Sequence, residues 1–207
     1  MVSCLLVTLH DLILTVALAL GGYLLGATPF ALIVARRMYG VDIRRRGTGN
    51  VGAGNIYREL GAKAGALVMA CDVGKGLLPA LAAALLLPAW PAALVAFMPT
   101  LGHQHSVFLR GSGGKGIATA AGAALALTPL VFVITLVPWL LVVRVRRLMR
   151  YAPLLAGATY LTASFVLPLP GADRALAFVV CASVLWAYRR ELWLLRLRSA
   201  EADVGSL

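Results

Sequence analysis

At 207 residues and 61% hydrophobic, with a mean hydropathy of +0.89, the chain carries more apolar side chains than a water-soluble core of this length needs. The bilayer is therefore read as its solvent, and residues 1–207 as one membrane-embedded domain with no length left for a separate soluble one. A net charge of +11 admits nucleic acid, lipid headgroups or a small anion as partner. Because the basic residues fall between apolar runs, membrane lipids and a small anion are expected, and no nucleic acid.

In chain order, no Lys or Arg precedes Arg36, so the apolar start reads as a retained first span rather than a signal peptide. Apolar runs follow at about residues 12–35, 60–89, 91–109, 116–128, 129–143, 152–168 and 175–188. The fourth and fifth admit two readings: two short helices broken at Thr128–Pro129, or one long helix with a kink. With two helices, every Lys and Arg except Lys75 and Arg174 falls on one side, including the cluster Arg144, Arg146, Arg147 and Arg150. The positive-inside rule then predicts an all-α membrane protein of about seven transmembrane helices, N-terminus outside and C-terminus cytoplasmic. Cys4, Cys71 and Cys181 are far apart, without metal-ligand or disulfide spacing, and read as packing residues.

Two loops on the basic side carry chemistry. The first, Asp42 to Arg58, mixes glycines that expose backbone N–H groups with Asn, Thr and Arg donors, a composition suited to phosphate. Gly47, Gly49 and Gly52 meet a dinucleotide-type glycine spacing, but no strand precedes them, so that fold is not expected. The plain alternative is a glycine-rich turn whose arginines hold headgroups. The second loop, Gly111-Ser-Gly-Gly-Lys-Gly-Ile-Ala-Thr119, stands before a helix and can wrap an anion with N–H groups and Lys115; it lacks the residues of a Walker A loop. Asp72 and Lys75, three apart in the second run, are expected to face protein and to pair, as a structural pair, a support for the loops or an ion path. His103 reads either as a proton acceptor or as an interfacial hydrogen-bonding residue.

The ordered segments Gly26-Ala-Thr-Pro-Phe30, Gly47-Thr-Gly-Asn-Val-Gly-Ala-Gly-Asn55, Asp72-x-x-Lys75-Gly76, Gly102-His103-x-x-Ser106-Val-Phe-Leu109 and Gly113-Gly-Lys-Gly-Ile-Ala-Thr119 resemble the bacterial acyl-phosphate:glycerol-3-phosphate acyltransferases. The resemblance implies a multi-pass enzyme of the bacterial inner membrane with a cytoplasmic active face. It would move an acyl group from acyl phosphate to the 1-hydroxyl of glycerol 3-phosphate, giving lysophosphatidic acid for phospholipid synthesis. No cofactor, acyl-CoA, acyl carrier protein or metal is implied, while contact with the enzyme that makes acyl phosphate is. The catalytic candidates are then Lys115, Thr48, Arg58 and His103. The substrate-binding candidates are Gly49, Asn50, Gly52, Asn55, Ser106, Gly113, Gly114, Gly116, Thr119 and Arg189. Acyl phosphate is expected on the Gly113–Gly116 loop and glycerol phosphate near Thr48, Arg58 and Lys115.

The C-terminal half departs from that pattern. Arg150-Tyr-Ala-Pro153-Leu puts proline where the family carries serine, and Arg189-Arg-Glu-Leu192 replaces a histidine and an asparagine. Two alternatives follow: the same chemistry on another acceptor, or a non-catalytic membrane paralogue or small transporter.

Overall fold

The computed structural model describes residues 9–145 and 151–204, with side chains up to Arg189. Cys4, Arg146, Arg147 and Arg150, and the side chains of Arg190, Glu191, Leu192, Arg196 and Arg198, lie outside the described residues. Among the described residues all regular structure is helical: α1 Leu9–Ala27, α2 Phe30–Tyr39, α3 Ala53–Leu60, α4 Ala62–Leu86, α5 Ala89–Gln104, α6 Ile117–Leu127, α7 Pro129–Val143, α8 Ala152–Val166 and α9 Gly171–Val204. Short 3-10 turns lie at Ile43–Arg45 and Val107–Leu109.

The first apolar run, read from sequence as one stretch, breaks at Thr28–Pro29. Proline has no N–H to continue the ladder, and its ring disfavours helical geometry in the residue before it. Helix α2 stops at Gly40, whose φ of 64° allows its own N–H to reach Arg36 O and that of Val41 to reach Ala35 O, a left-handed helix end. Of the two readings for 116–143, the structure adopts separate helices: α6 ends at Leu127, and Pro129 opens α7, where its missing N–H costs nothing. Thr128 seals the junction, sharing a 2.9 Å hydrogen bond with the hydroxyl of Tyr160 on α8. Pro153 likewise sits in the first turn of α8. The seventh run extends well past its apolar part, because α9 continues into the basic tail.

Glycine contacts set how these helices pack. A Cβ on Gly26 would overlap the Pro99 backbone, and one on Gly102 the Tyr23 carbonyl, so α1 and α5 touch almost backbone to backbone. Gly76 against Thr119 and Gly122 against Val73 do the same for α4 and α6. Small residues allow this close approach where lipid supplies no hydrophobic drive between helices. Leu18 and Ala19 pack with Ala92 and Val95 at one end while Ala27 meets Ser106 at the other, so α1 and α5 run parallel. Both deliver their C-terminal ends to the same end of the bundle. There α2, the first loop and α3 form a cap whose core of Leu32, Val34, Ile43, Val51 and Ile56 packs on Ala64 and Val68 of α4.

Large apolar side chains point outward along the helices, among them Leu12, Ile13 and Leu20 on α1, Val133 and Leu141 on α7, and Phe178 and Trp186 on α9. That surface suits lipid rather than water. Three stretches, Leu9–Tyr39, Ala62–Leu86 and Gly171–Arg189, are long and apolar enough to cross a bilayer. Helix α6 has only 11 residues, or about 16 Å at 1.5 Å per residue, roughly half a hydrocarbon core.

Candidate functional site

The first loop is built around one buried amide. Asn55, 1% exposed on α3, accepts the Thr48 N–H through Oδ1 at 3.1 Å. Its Nδ2 donates to Arg46 O and Asn50 O, both at 3.1 Å. Gly47 and Gly49, with φ of 55° and 71°, make the turn on either side of Thr48, and a Cβ on Gly47 would collide with the Asn55 and Glu59 side chains. Upstream, Asp42 accepts from Arg44 Nη2 at 2.6 Å and Arg36 Nη2 at 2.8 Å. The Arg44 and Arg36 guanidiniums hold its carboxyl well below the usual carboxylate range.

The expectation that this loop frees its backbone N–H groups for an anion is only partly met. The N–H groups of Thr48, Gly49 and Asn50 bond to Asn55 Oδ1, Arg46 O and Thr48 Oγ1 respectively. Asn55 is engaged in the loop itself. What the loop presents outward is the exposed Thr48, together with the exposed Arg45, Arg46 and Arg58. Arg58 lies on the opposite side of α3 from buried Ile56 and does not line the crevice described below.

The second loop keeps part of its donors, since Gly111 and Ser112 bond their N–H groups to Ser106 O and Leu109 O. Gly114 donates its N–H to His103 O at 3.0 Å, and its Cα lies so close to the His103 ring that a Cβ would strike Nε2. Gly116, with φ of 79°, turns the chain into α6 against Thr100 and Gln104. The N–H groups of Gly113, Gly116 and the first turn of α6 have no partner among the described hydrogen bonds. Lys115 is held at both ends: Gln104 Nε2 donates to its carbonyl at 3.1 Å, and its Nζ lies 3.8 Å from the centroid of the Tyr188 ring on α9. Gln104 Nε2 also donates to Ser183 Oγ at 3.3 Å. Thr119 is fully buried, and its hydroxyl has no hydrogen-bond partner among the described residues.

A narrow crevice of about 10 Å³ is lined by Thr28 and Pro29 from the helix break, Val51 from the first loop, Leu109 from the 3-10 turn before the second, and Lys75, His103 and Ser106. The second loop itself borders it through Gly114 on His103, while Thr48 and Lys115 do not line it. Lys75 pairs with Asp72 at 2.9 Å, as the sequence leads one to expect. His103 and Ser106 thus reach the crevice wall. Arg189 does not: it is exposed, stacked 4.0 Å over Trp186 and donating to the Trp186 carbonyl at 2.7 Å. Among the described residues no cluster of His, Cys, Asp or Glu is arranged to hold a metal. Gln104, Ser183 and Tyr188 were missed from sequence. Their only signal is a contact across about 70 to 80 residues of chain, which no local pattern reveals.

The sequence profile of the family described as Glycerol-3-phosphate acyltransferase matches residues 16–198. The chain belongs to the glycerol-3-phosphate acyltransferase family. A relative of that name from Myxococcus xanthus (strain DK1622) is 38% identical over 188 residues, covering 90% of this chain and 98% of its own. Another from Roseiflexus sp. (strain RS-1) is 40% identical, covering 89% of this chain and 93% of its own. Among solved structures, the glycerol 3-phosphate form of PlsY, an integral membrane glycerol 3-phosphate acyltransferase, superposes with a TM-score of 0.84 at 34% identity. That match covers 88% of this chain and 92% of the crystal structure's chain. The lysophosphatidic acid form gives a TM-score of 0.82 at 33% identity. The acyltransferase described here is accordingly an integral membrane enzyme.

The Asn55 network makes a stability prediction for this acyltransferase. Asn55→Leu removes three 3.1 Å hydrogen bonds to the backbone and a longer one to Ile43 O, at about 1 kcal/mol for each of the shorter ones, and should loosen the loop without unfolding the bundle. Limited trypsin digestion of the detergent-purified protein should then cut at Arg44–Arg46 at least tenfold faster than in the unsubstituted protein. An unchanged cutting rate would remove Asn55 as the organiser of the loop.

Proposed function

We propose that the two glycine-rich loops transfer an acyl group from acyl phosphate to the 1-hydroxyl of glycerol 3-phosphate, releasing lysophosphatidic acid and phosphate. The supporting observation is that Val51 of the first loop and His103, on which the second loop rests through Gly114, line one crevice, with Lys115 seated beside the open N–H groups of the second loop. Acyl phosphate is already activated, so the protein needs mainly to orient the reactants and stabilise charge. In this reading the Gly113–Gly116 loop, Lys115 and the first turn of α6 hold the donor's phosphate. Thr48, at the exposed edge of the first loop, holds the acceptor's. The hydroxyl attacks the acyl carbon, the acyl–phosphate bond breaks, and the proton passes to the departing phosphate or to His103 on the crevice wall.

We further propose about seven spans with the loops facing the cytoplasm, in the bacterial inner membrane, because Lys and Arg concentrate at that end. There the loops would meet both the soluble acceptor and a donor handed over by the enzyme that makes it. In a cysteine-free background, a membrane-impermeant maleimide should reach Ser112→Cys only from the cytoplasmic side and Ala89→Cys, at the α4–α5 turn, only from the other. Labelling of both from one side would contradict this topology.

Purified protein given palmitoyl phosphate and glycerol 3-phosphate should form lysophosphatidic acid and phosphate in equal amounts. Lys115→Ala should lower kcat by about 10²-fold or more, as loss of a charge-stabilising donor does. A cation–π seat is worth about 0.5–2 kcal/mol. Tyr188→Leu should therefore cost roughly 2- to 30-fold in kcat, while Tyr188→Phe, which keeps the ring, should stay near the unsubstituted rate. Turnover with an acyl thioester but not with palmitoyl phosphate, or full activity in Lys115→Ala, would reject the reading.

A further inference from the structure

The buried charges of α4 take no part in the transfer as written, yet they touch both loops' supports. Lys75 and Asp72 are each 2% exposed and lie 2.9 Å apart. Lys75 Nζ also donates to the carbonyl of Thr28 at 3.2 Å and lies 5.7 Å from the centre of the Phe30 ring. Thr28 is the residue at which α1 breaks before the chain enters the cap. On the other side of the pair, Asp72 Oδ1 stands 3.7 Å from His103 Nδ1, too long for a hydrogen bond but close enough to bias the ring. His103 is the residue on which the second loop rests, through the Gly114 N–H and through close contact with its imidazole.

A charge pair kept only to neutralise itself would need none of these outward contacts. Burying two ions is costly, and apolar residues of the same volume often serve stability as well or better. Here one ion grips the α1–α2 break, where the chain turns toward the cap that carries the first loop, and the other faces the platform of the second. Ser106 makes a parallel tie, donating to the Ala27 carbonyl at 2.5 Å.

We propose that the Asp72–Lys75 pair is a positioning element of the acyltransferase: Lys75 braces the Thr28 carbonyl at the α1–α2 break and Asp72 lies against the His103 ring, so that one ion pair holds the two glycine-rich loops in register. Neither residue contacts the transferred group in this scheme; they act through Thr28 and His103. The proposal rests on the reading that both loops serve one reaction.

The test measures register and turnover separately. Spin labels on Arg45→Cys and Ser112→Cys, both exposed loop positions, report the distance between the loops in otherwise cysteine-free, detergent-purified protein. Lys75→Met should broaden that distance distribution and lower kcat at least tenfold while helix content stays unchanged. The double variant Asp72→Asn/Lys75→Met, which leaves no lone buried charge, should show the same broadening and loss. A narrow, unshifted distribution in either folded variant would overturn the proposal. So would a double variant that regains register and turnover, since charge compensation alone would then account for the pair. Failure of both variants to yield folded protein would also overturn it, by assigning the pair to assembly of the bundle. Absence of acyl-phosphate turnover in the labelled parent would instead reject the functional reading, and the distance comparison would still judge the brace.

Discussion

Inside a bilayer an unsatisfied backbone carbonyl has no water to turn to, and the break at Pro29 takes the carbonyls of Ala27 and Thr28 out of the helical ladder within the first hydrophobic stretch. A continuous helix would have bonded Ala27 O and Thr28 O within itself; here Ser106, just past α5, takes Ala27 O, and Thr28 O accepts the Phe30 N–H at 3.1 Å together with Lys75 Nζ from α4. That exchange of local for tertiary hydrogen bonds is the constraint on which the site depends. It turns the chain out of α1 into the cap, fixes α4 and the end of α5 against the break, and draws the loop after Ser106 to the same place. The glycines at 26 and 102 then become necessities, since Ser106 reaches the Ala27 carbonyl only if the backbones of α1 and α5 nearly touch.

The depth of the site follows from the same packing. Lys75 lies near the middle of α4, and Gly76 is pressed against Thr119 in the first turn of α6. The second loop therefore meets α4 about halfway along its length. The cap fills the remaining distance with its own small core on the first turns of α4. An enzyme that joins a water-soluble phosphate to an acyl chain needs such an arrangement: a polar pocket below the surface, roofed by basic loops and walled by helices whose outer faces are apolar.

Much of this was legible in the sequence, and the exceptions have physical causes. Hydropathy located all the long apolar runs, and Thr128–Pro129 marked the junction between α6 and α7, because proline punctuation acts locally. The i,i+3 spacing of Asp72 and Lys75 foretold their pairing. Thr28–Pro29 carried the same signal as Thr128–Pro129, yet the run was read through it because the apolar pattern on both sides dominated. The first loop's glycines were read as N–H donors for an anion, whereas two of them serve the turn around Thr48 and the neighbouring N–H groups bond inward. Composition shows which donors exist, not which are already engaged. Arg58 and Arg189 were grouped with the site by pattern, and the structure sets both on outer surfaces. The seat of Lys115 on Tyr188 joins residues 73 positions apart, and nothing near either one announces the other.

The central claim is that two loops distant in sequence form one chemical surface. The most direct measurement is cross-linking of Val51→Cys to Leu109→Cys with a short bifunctional thiol reagent, in an otherwise cysteine-free protein embedded in membranes. Rapid intramolecular cross-linking that is slowed by glycerol 3-phosphate is the result this account predicts. Folded protein whose two thiols react with the reagent separately but never become joined would contradict it.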